Sequence, residues 1–367
     1  MNKIKVALIG IGNCASALVQ GIHHYSQANA QVVPGLLHWE LAGYTPADIE
    51  VVAAIDIDAR KVGQDLSTAI YSPPNCAYKI EKDIPPAGVP VVMGQVLDGI
   101  SVHTLDYAED ERIVVSEAQE AAENDIVDLL QASGADILVN YLPVGSEEGT
   151  GFYTQCALHA GVGMVNCIPV FIASSPEWEQ QFRHAGLPII GDDIKSQVGA
   201  TILHRALVDL FSLRGVNIHR TYQINVGGNT DFLNMLNQNR LVSKKISKSE
   251  AVQARFAKRL PENALHVGPS DYVPWMNDNK VAFMRVEGEG FGGAPVEIEL
   301  RLSVEDSPNS AGVVIDAIRS CKAALDRNIG GALDAASALF CKHPPQQYGD
   351  EEARARLERF LAGDLKN

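Results

Sequence analysis

A chain of 367 residues, 46 % of them hydrophobic, can bury a large core and form two domains or one large domain with an insertion. Its net charge of −15 argues against nucleic acid or an anionic membrane as the main partner, because both need a broad basic surface. No apolar run reaches the roughly 18 residues of a membrane span. MNKIKVALIGIGN lacks a small-residue cleavage site, and the six cysteines form no CxxC pair, so a cytoplasmic protein without disulfides is expected.

Apolar, β-branched runs at 4–9, 50–55, 136–139, 162–168 and 187–190 predict strands buried on both faces. Helical stretches near 14–25, 123–133, 148–160 and 176–185 alternate with them. This is the α/β pattern of a Rossmann-type doubly wound parallel sheet. Ligands of such sheets bind at the carboxyl ends of the strands. The polar residues there, Asp56, Asn140, Asn166, Asp192 and Asp193, are therefore candidate contacts. A second architecture begins near Ser196 with a long helix that Gly215 can close. YQINVGG, VAFMRVEGEGF and VEIELRLSVED then predict a more antiparallel sheet, and helices are expected again at 309–327, 332–341 and 350–362.

The first strand ends in a GxGxxA turn made by Gly10, Gly12 and Ala15. Glycines there permit a tight turn and close approach of a pyrophosphate to the next helix, although a strand-turn-helix can need them for backbone reasons alone. Residues 26–49 separate that helix from the second strand, so the acidic residue expected about 20 positions on is replaced by Asp56. Asp56 is either a ribose ligand that favours NAD over NADP, with Arg60 and Lys61 as potential partners of a 2′-phosphate, or a helix cap for DARKVGQDL.

Residues 214–260 carry nine Lys or Arg against two Asp or Glu, a positive island in an acidic chain. Within it, Lys244 and Lys248 stand one helical turn apart, where like charges cost roughly 0.2–0.5 kcal/mol, and this suggests a bound anion. Upstream, GDDIKSQVGAT offers Ser196 as a helix cap with free amides at Gln197 and Val198, a phosphate seat or a plain helix start. INVGGNTD places Gly227, Asn229 and Asp231 in a strand-to-helix turn that suits an anion or is only a turn. Lys280, Asp306 and Lys342 read locally as surface charges or a cap, and the histidines are not spaced like a metal site. The residues by themselves support an NAD-dependent enzyme acting on an anionic substrate.

GIGNCASALVQG, LPVGSEE, CIPVFIAS, GDDIKSQVGAT, NVGGNTDFLNM, SKKISK and EDSPNSAG occur in an order that closely resembles myo-inositol-1-phosphate synthase in its short bacterial form. The resemblance spans nearly the whole chain, without the long amino-terminal extension and asparagine-rich glycine loop of the eukaryotic enzymes. It implies a homotetramer with tightly held NAD that converts glucose 6-phosphate into inositol phosphate without net redox change, a step toward inositol and phospholipid biosynthesis. Oxidation at C5 acidifies the C6 protons, the enolate attacks the C1 aldehyde, and the cyclic ketone is reduced again. Fixed cations placed where oxyanions develop would supply much of the catalysis.

By motif, the resemblance places catalytic roles on Lys244, Lys248, Lys280, Lys342, Asp193, Asp231 and Asp306. Lys342 and Lys244 would move the O5 proton, and Lys248 and Lys280 would stabilise O1 and the phosphate. Cofactor contacts would fall on Gly10, Gly12, Asn13, Cys14, Asp56, Asn140, Pro143, Asn166 and Asp192, and phosphate contacts on Ser196, Gln197, Val198, Gly227 and Asn229. The family architecture implies a Rossmann domain built from 1–200 and 307–367 around a catalytic and tetramerisation domain at 201–306. Relatives differ in using divalent or monovalent cations, and no ligand set for either is legible in this sequence.

Overall fold

The computed structural model describes residues 3–28, 33–237, 242–256 and 258–365. Strands β1 (Ile4–Ile9), β2 (Ile49–Asp56), β3 (Val91–Met93), β4 (Ile137–Asn140), β5 (Gly163–Asn166), β6 (Pro188–Ile190) and the two-residue β11 (Gly331–Ala332) form one parallel sheet. Its order is β11-β6-β5-β4-β1-β2-β3. The order reverses between β1 and β4, the topological switch point at which open α/β sheets bind ligands. Helices α1 (Asn13–Ser26), α3 (Glu123–Ser133), α4 (Glu147–Ala160) and α5 (Pro176–Ala185) connect the strands, with the short α2 (Leu66–Ala69) after β2. The apolar runs are strands because both faces are covered: Val6, Leu8, Ile137, Val139 and Val165 pack in one core, and Ala7, Ile9, Leu138 and Ile55 in another.

Helix α6 (Ala200–Leu213) leads into the second sheet, ordered β10-β9-β7-β8 from β7 (Asn217–Gly227), β8 (Leu265–Tyr272), β9 (Asn279–Glu289) and β10 (Pro295–Glu305). The β7–β9 and β9–β10 pairs are antiparallel, whereas β7 and β8 are parallel, so the sheet is mixed. The short α7 (Thr230–Asn234) and α8 (Val242–Gln253) lie between β7 and β8. After β10 the chain returns through α9 (Asp306–Asp326), α10 (Asp334–Phe340) and α11 (Asp350–Ala362). Val314, Ile315 and Ile318 of α9 share the core of β1 and β4, and β11 hydrogen-bonds beside β6.

No helix among the described residues is long and apolar enough to cross a membrane. All six cysteines are free thiols. The helix expected from Ser196 starts four residues later, with Gly199 as its cap, because the preceding segment is hydrogen-bonded to α9.

Glycine is required at position 10. Its φ is +81°, and a Cβ there would meet the Tyr141 carbonyl oxygen at 2.6 Å. The chain leaving β1 thus passes directly over the loop leaving β4. Gly10→Ala should destabilise the protein by about 1–3 kcal/mol, measured as a lowered urea midpoint. An unchanged midpoint would show that this crossing can relax.

Candidate active site

One cleft runs from the switch point of the parallel sheet to the end of the second sheet where β7 stops and β9 starts. Gly10, Gly12, Asn13, Cys14, Asp56 and Pro143 line its first half. Asp193, Ser196, Asn229, Asp231, Lys248, Lys280, Asp306 and Lys342 line its second half. Lys244 lies on α8, but its side chain is outside the described residues.

At the glycine turn, no side chain caps α1. A Cβ on Gly12 would meet nothing within 4 Å. Space and unshared amide donors at the positive end of a helix suit a pyrophosphate. Asp56 closes the turn: its carboxylate accepts from the amides of Ile11 at 2.6 Å, Ile57 at 2.7 Å and Asp58 at 2.8 Å. No helix follows for it to cap, since residues 59–64 form turns. Lys61 is buried and donates to the Ile11 carbonyl at 2.8 Å and to Asn75 at 2.9 Å. Arg60 forks onto Asp58 at 2.6 and 2.8 Å. Neither cation is available to a 2′-phosphate.

The second half is built by a chain crossing. Residues 192–195 pair with 340–343, with Lys342 N donating to Asp193 O at 2.7 Å and Lys195 N donating to Phe340 O at 2.7 Å. This brings Lys342 from near the end of the chain to Asp193, whose carboxylate accepts from Lys342 Nζ at 2.6 Å and from Ser247 Oγ at 2.6 Å. Asp193 is buried and holds a left-handed φ of 63°. Ser247 precedes Lys248 on α8, and Lys248 is itself buried. Lys280, the second residue of β9, stands opposite Gly227 and pairs with Asp306, the first residue of α9, at 2.9 Å. Burial pulls the Lys280 pKa down, but the charges of Asp306, Asp231 and Asp193 more than offset it, so the ammonium is held above its usual value.

Several expected contacts lie elsewhere. Asn140, Asn166 and Asp192 do not line the cleft, because they occupy adjacent strand ends and bond to one another. Asn140 donates to Asn166 at 3.0 Å and Asn166 to Asp192 at 2.7 Å. Asp192 also accepts from the amides of Ile172, Ala173 and Ser174, yet burial raises its pKa to about 6. The amides of Gln197 and Val198 are not free either, since Asn309 accepts both, at 2.8 and 3.0 Å. Gly227 is shielded by the Phe232 ring, which a Cβ would strike at 2.5 Å.

One residue missed in the sequence stands at the junction. Asp278 is buried and accepts from Asn229 Nδ2 at 3.0 Å, Ser307 N at 3.0 Å and Ser307 Oγ at 2.8 Å. It thereby joins the cap of α7 to the first turn of α9 just before Lys280. Burial, and then the charge of Asp306, raise its pKa to about 7. The only signal in the sequence was its place two residues before a cleft lysine. Among the described residues, no group of three or more His, Cys, Asp or Glu side chains is arranged to hold a metal ion.

The family model for myo-inositol-1-phosphate synthase matches residues 199–307, the stretch that carries Asn229, Asp231, Lys248, Lys280 and Asp306. The inositol-3-phosphate synthase of Mycolicibacterium smegmatis is 52 % identical over 366 residues, covering 98 % of this chain and 98 % of that protein. The chain belongs to the myo-inositol-1-phosphate synthase family. A second member, the inositol-3-phosphate synthase of Corynebacterium glutamicum, is 49 % identical over 367 residues, with 98 % of each chain covered. The crystal structure of a myo-inositol-1-phosphate synthase-related protein from Thermotoga maritima shares the fold at a TM-score of 0.80, with 24 % identity and 100 % coverage of both chains.

The Asp278 carboxyl gives this family member a testable pH dependence. Its pKa rises from 3.8 unfolded to about 7 folded, so between those values the folded protein keeps a proton that the unfolded chain releases. Stability through this group is therefore greatest at low pH and declines as pH rises toward 7. Asp278→Asn should remove that decline and gain on the wild type by up to ~1 kcal/mol per pH unit across the window. Urea denaturation at several pH values measures the two slopes, and parallel slopes would contradict the assignment.

Proposed function

We propose that the protein is an NAD-dependent inositol-3-phosphate synthase, an isomerase that converts D-glucose 6-phosphate to 1D-myo-inositol 3-phosphate with no net redox change. The observation that carries this reading is the continuity of one cleft from a dinucleotide-type glycine turn to Lys248, Lys280 and Lys342. A plain dehydrogenase needs a single proton acceptor. A cyclisation through an enolate needs cations at two developing oxyanions and at a phosphate.

The residues fit NAD. Gly12 leaves room, the start of α1 supplies donors, and Asp56 is oriented by three amides while Arg60 and Lys61 are committed to the protein. Bound NAD would accept a hydride from C5 of the sugar and return it after ring closure. Lys342, as the neutral amine, takes the O5 proton during oxidation, and the ammonium so formed returns it during reduction. Asp193 aims its ammonium from 2.6 Å, and Lys244 is the second candidate for that transfer. Lys280, its charge held by Asp306, opposes the oxyanion at O1, and Lys248 opposes the phosphate with Ser196 and Asn229. Asp231 contributes negative charge that keeps Lys280 protonated.

The same reading divides the chain into a Rossmann domain from 1–200 and 307–367 and a catalytic and tetramerisation domain at 201–306, in a cytoplasmic homotetramer. Exposed Phe291, Trp275 and Leu213, all within or beside the second sheet, support assembly through that region.

Incubation with glucose 6-phosphate and substoichiometric NAD should yield inositol phosphate far in excess of the cofactor. Stoichiometric NADH release would make the protein a dehydrogenase instead. Lys342→Ala should lower turnover by roughly 10² to 10⁴ while NAD binding persists. Lys342→Arg should recover little, because a guanidinium does not release its proton near neutral pH. Full rescue by arginine would assign Lys342 an electrostatic role and leave proton transfer to Lys244.

A further inference from the structure

Two fully buried cations lie behind the cleft. Arg205 of α6 is 0 % exposed and Lys195 is 2 % exposed, and both bind one carboxylate, that of Asp350 at the start of α11. Arg205 Nε donates to Asp350 Oδ2 at 3.0 Å, and Lys195 Nζ donates to Asp350 Oδ1 at 3.3 Å. The remaining donors reach backbone carbonyls of other segments. Arg205 Nη1 binds Ala251 O of α8 at 2.8 Å, Arg205 Nη2 binds Tyr348 O at 3.0 Å, and Lys195 Nζ binds Ala338 O of α10 at 2.7 Å.

These carbonyls bracket the cleft lysines. On α8, Ser247 is fixed to Asp193 and Ala251 is fixed to Arg205, so Lys248 lies between two pins less than one and a half turns apart. On the returning chain, Lys342 follows the Lys195–Phe340 backbone bond and precedes the Tyr348 carbonyl and the Asp350 carboxylate held by Arg205. A guanidinium presents its donors in a rigid plane, which fixes the relative placement of three acceptors. Lysine, with one flexible ammonium, cannot reproduce that fork.

We infer that Arg205 and Asp350 form a positioning pair that holds the Lys248 helix and the Lys342–Asp193 segment in register. This inference rests on the proposed cyclase activity for its kinetic consequence. Its structural consequence, a pinned α8, stands independently of the substrate. Arg205 and Asp350 themselves do not line the cleft. Their loss should therefore lower kcat more than it changes KM or NAD affinity.

The test compares full-length wild type with Arg205→Lys and Asp350→Asn, assayed well below their unfolding temperatures. Arg319→Lys is the control, because Arg319 is equally buried but holds the His38 and Tyr44 carbonyls, away from α8. Both positioning variants should lose roughly 10- to 100-fold in kcat with glucose 6-phosphate, with NAD binding within about threefold of wild type. Arg319→Lys should lose stability but keep its kcat. Hydrogen exchange should show faster exchange in α8 for Arg205→Lys and none in α1. Should Asp350→Asn fail to fold, Arg205→Lys decides alone. Wild-type kcat and unchanged α8 exchange in Arg205→Lys would overturn the inference, as would a kcat loss matched by the Arg319 control. If the wild type makes no inositol phosphate, the activity reading fails, and the α8 exchange result still decides the pinning.

Discussion

The carboxylate of Asp193 is the contact on which the second half of the cleft depends. It binds Lys342 from the returning chain and Ser247 from α8, while its own backbone oxygen accepts the Lys342 amide. A buried ion pair contributes little net stability once desolvation is counted, but removing one partner strands the other charge. The pair therefore acts mainly as a constraint. Three segments far apart in sequence can meet only where that carboxylate is, and this fixes the geometry of the lysines around the cleft.

Around this contact the two sheets are joined end to end. Asn13 Nδ2 donates to Thr230 Oγ1 at 3.4 Å, and Cys14 Sγ lies 3.9 Å from Ser310 Oγ, so the glycine turn touches the starts of α7 and α9. Asp278 links those same starts to β9. A shift of either sheet relative to the other would strain the contacts that aim Lys280 and Asn229. Positioning of this kind gathers Lys248, Lys280 and Lys342 around one cleft in a chain of net charge −15.

Much of this was legible in the sequence. Strands β1, β2, β4, β5 and β6 read as apolar runs because parallel strands are covered on both faces. The parallel strand β8 was not seen, since LHVGPSDY contains glycine and proline and has no clean alternation. The two-residue β11 is too short to leave any pattern. Nothing in the sequence tells that Asn140, Asn166 and Asp192 bond to one another, because polar residues at strand ends look the same whether they face a ligand or one another. Lys342 could be tied to Asp193 only through the resemblance, because no local pattern announces a partner 149 residues away.

The return of the chain after β10 also sets an order on its biosynthesis. A nascent chain that has emerged only as far as β10 has every strand of the second sheet and six strands of the first, yet it lacks α9, β11 and Lys342. The core beneath β1 and β4 stays open until Val314 and Ile318 arrive, and Asp193 lacks the Lys342 ammonium until residue 342 has cleared the ribosome. Long-range closure of this kind is slow and leaves apolar surface exposed in the meantime. The last sixth or so of the polypeptide thus completes the core and the cleft together, so that a prematurely terminated product would lack both a sealed interior and Lys342.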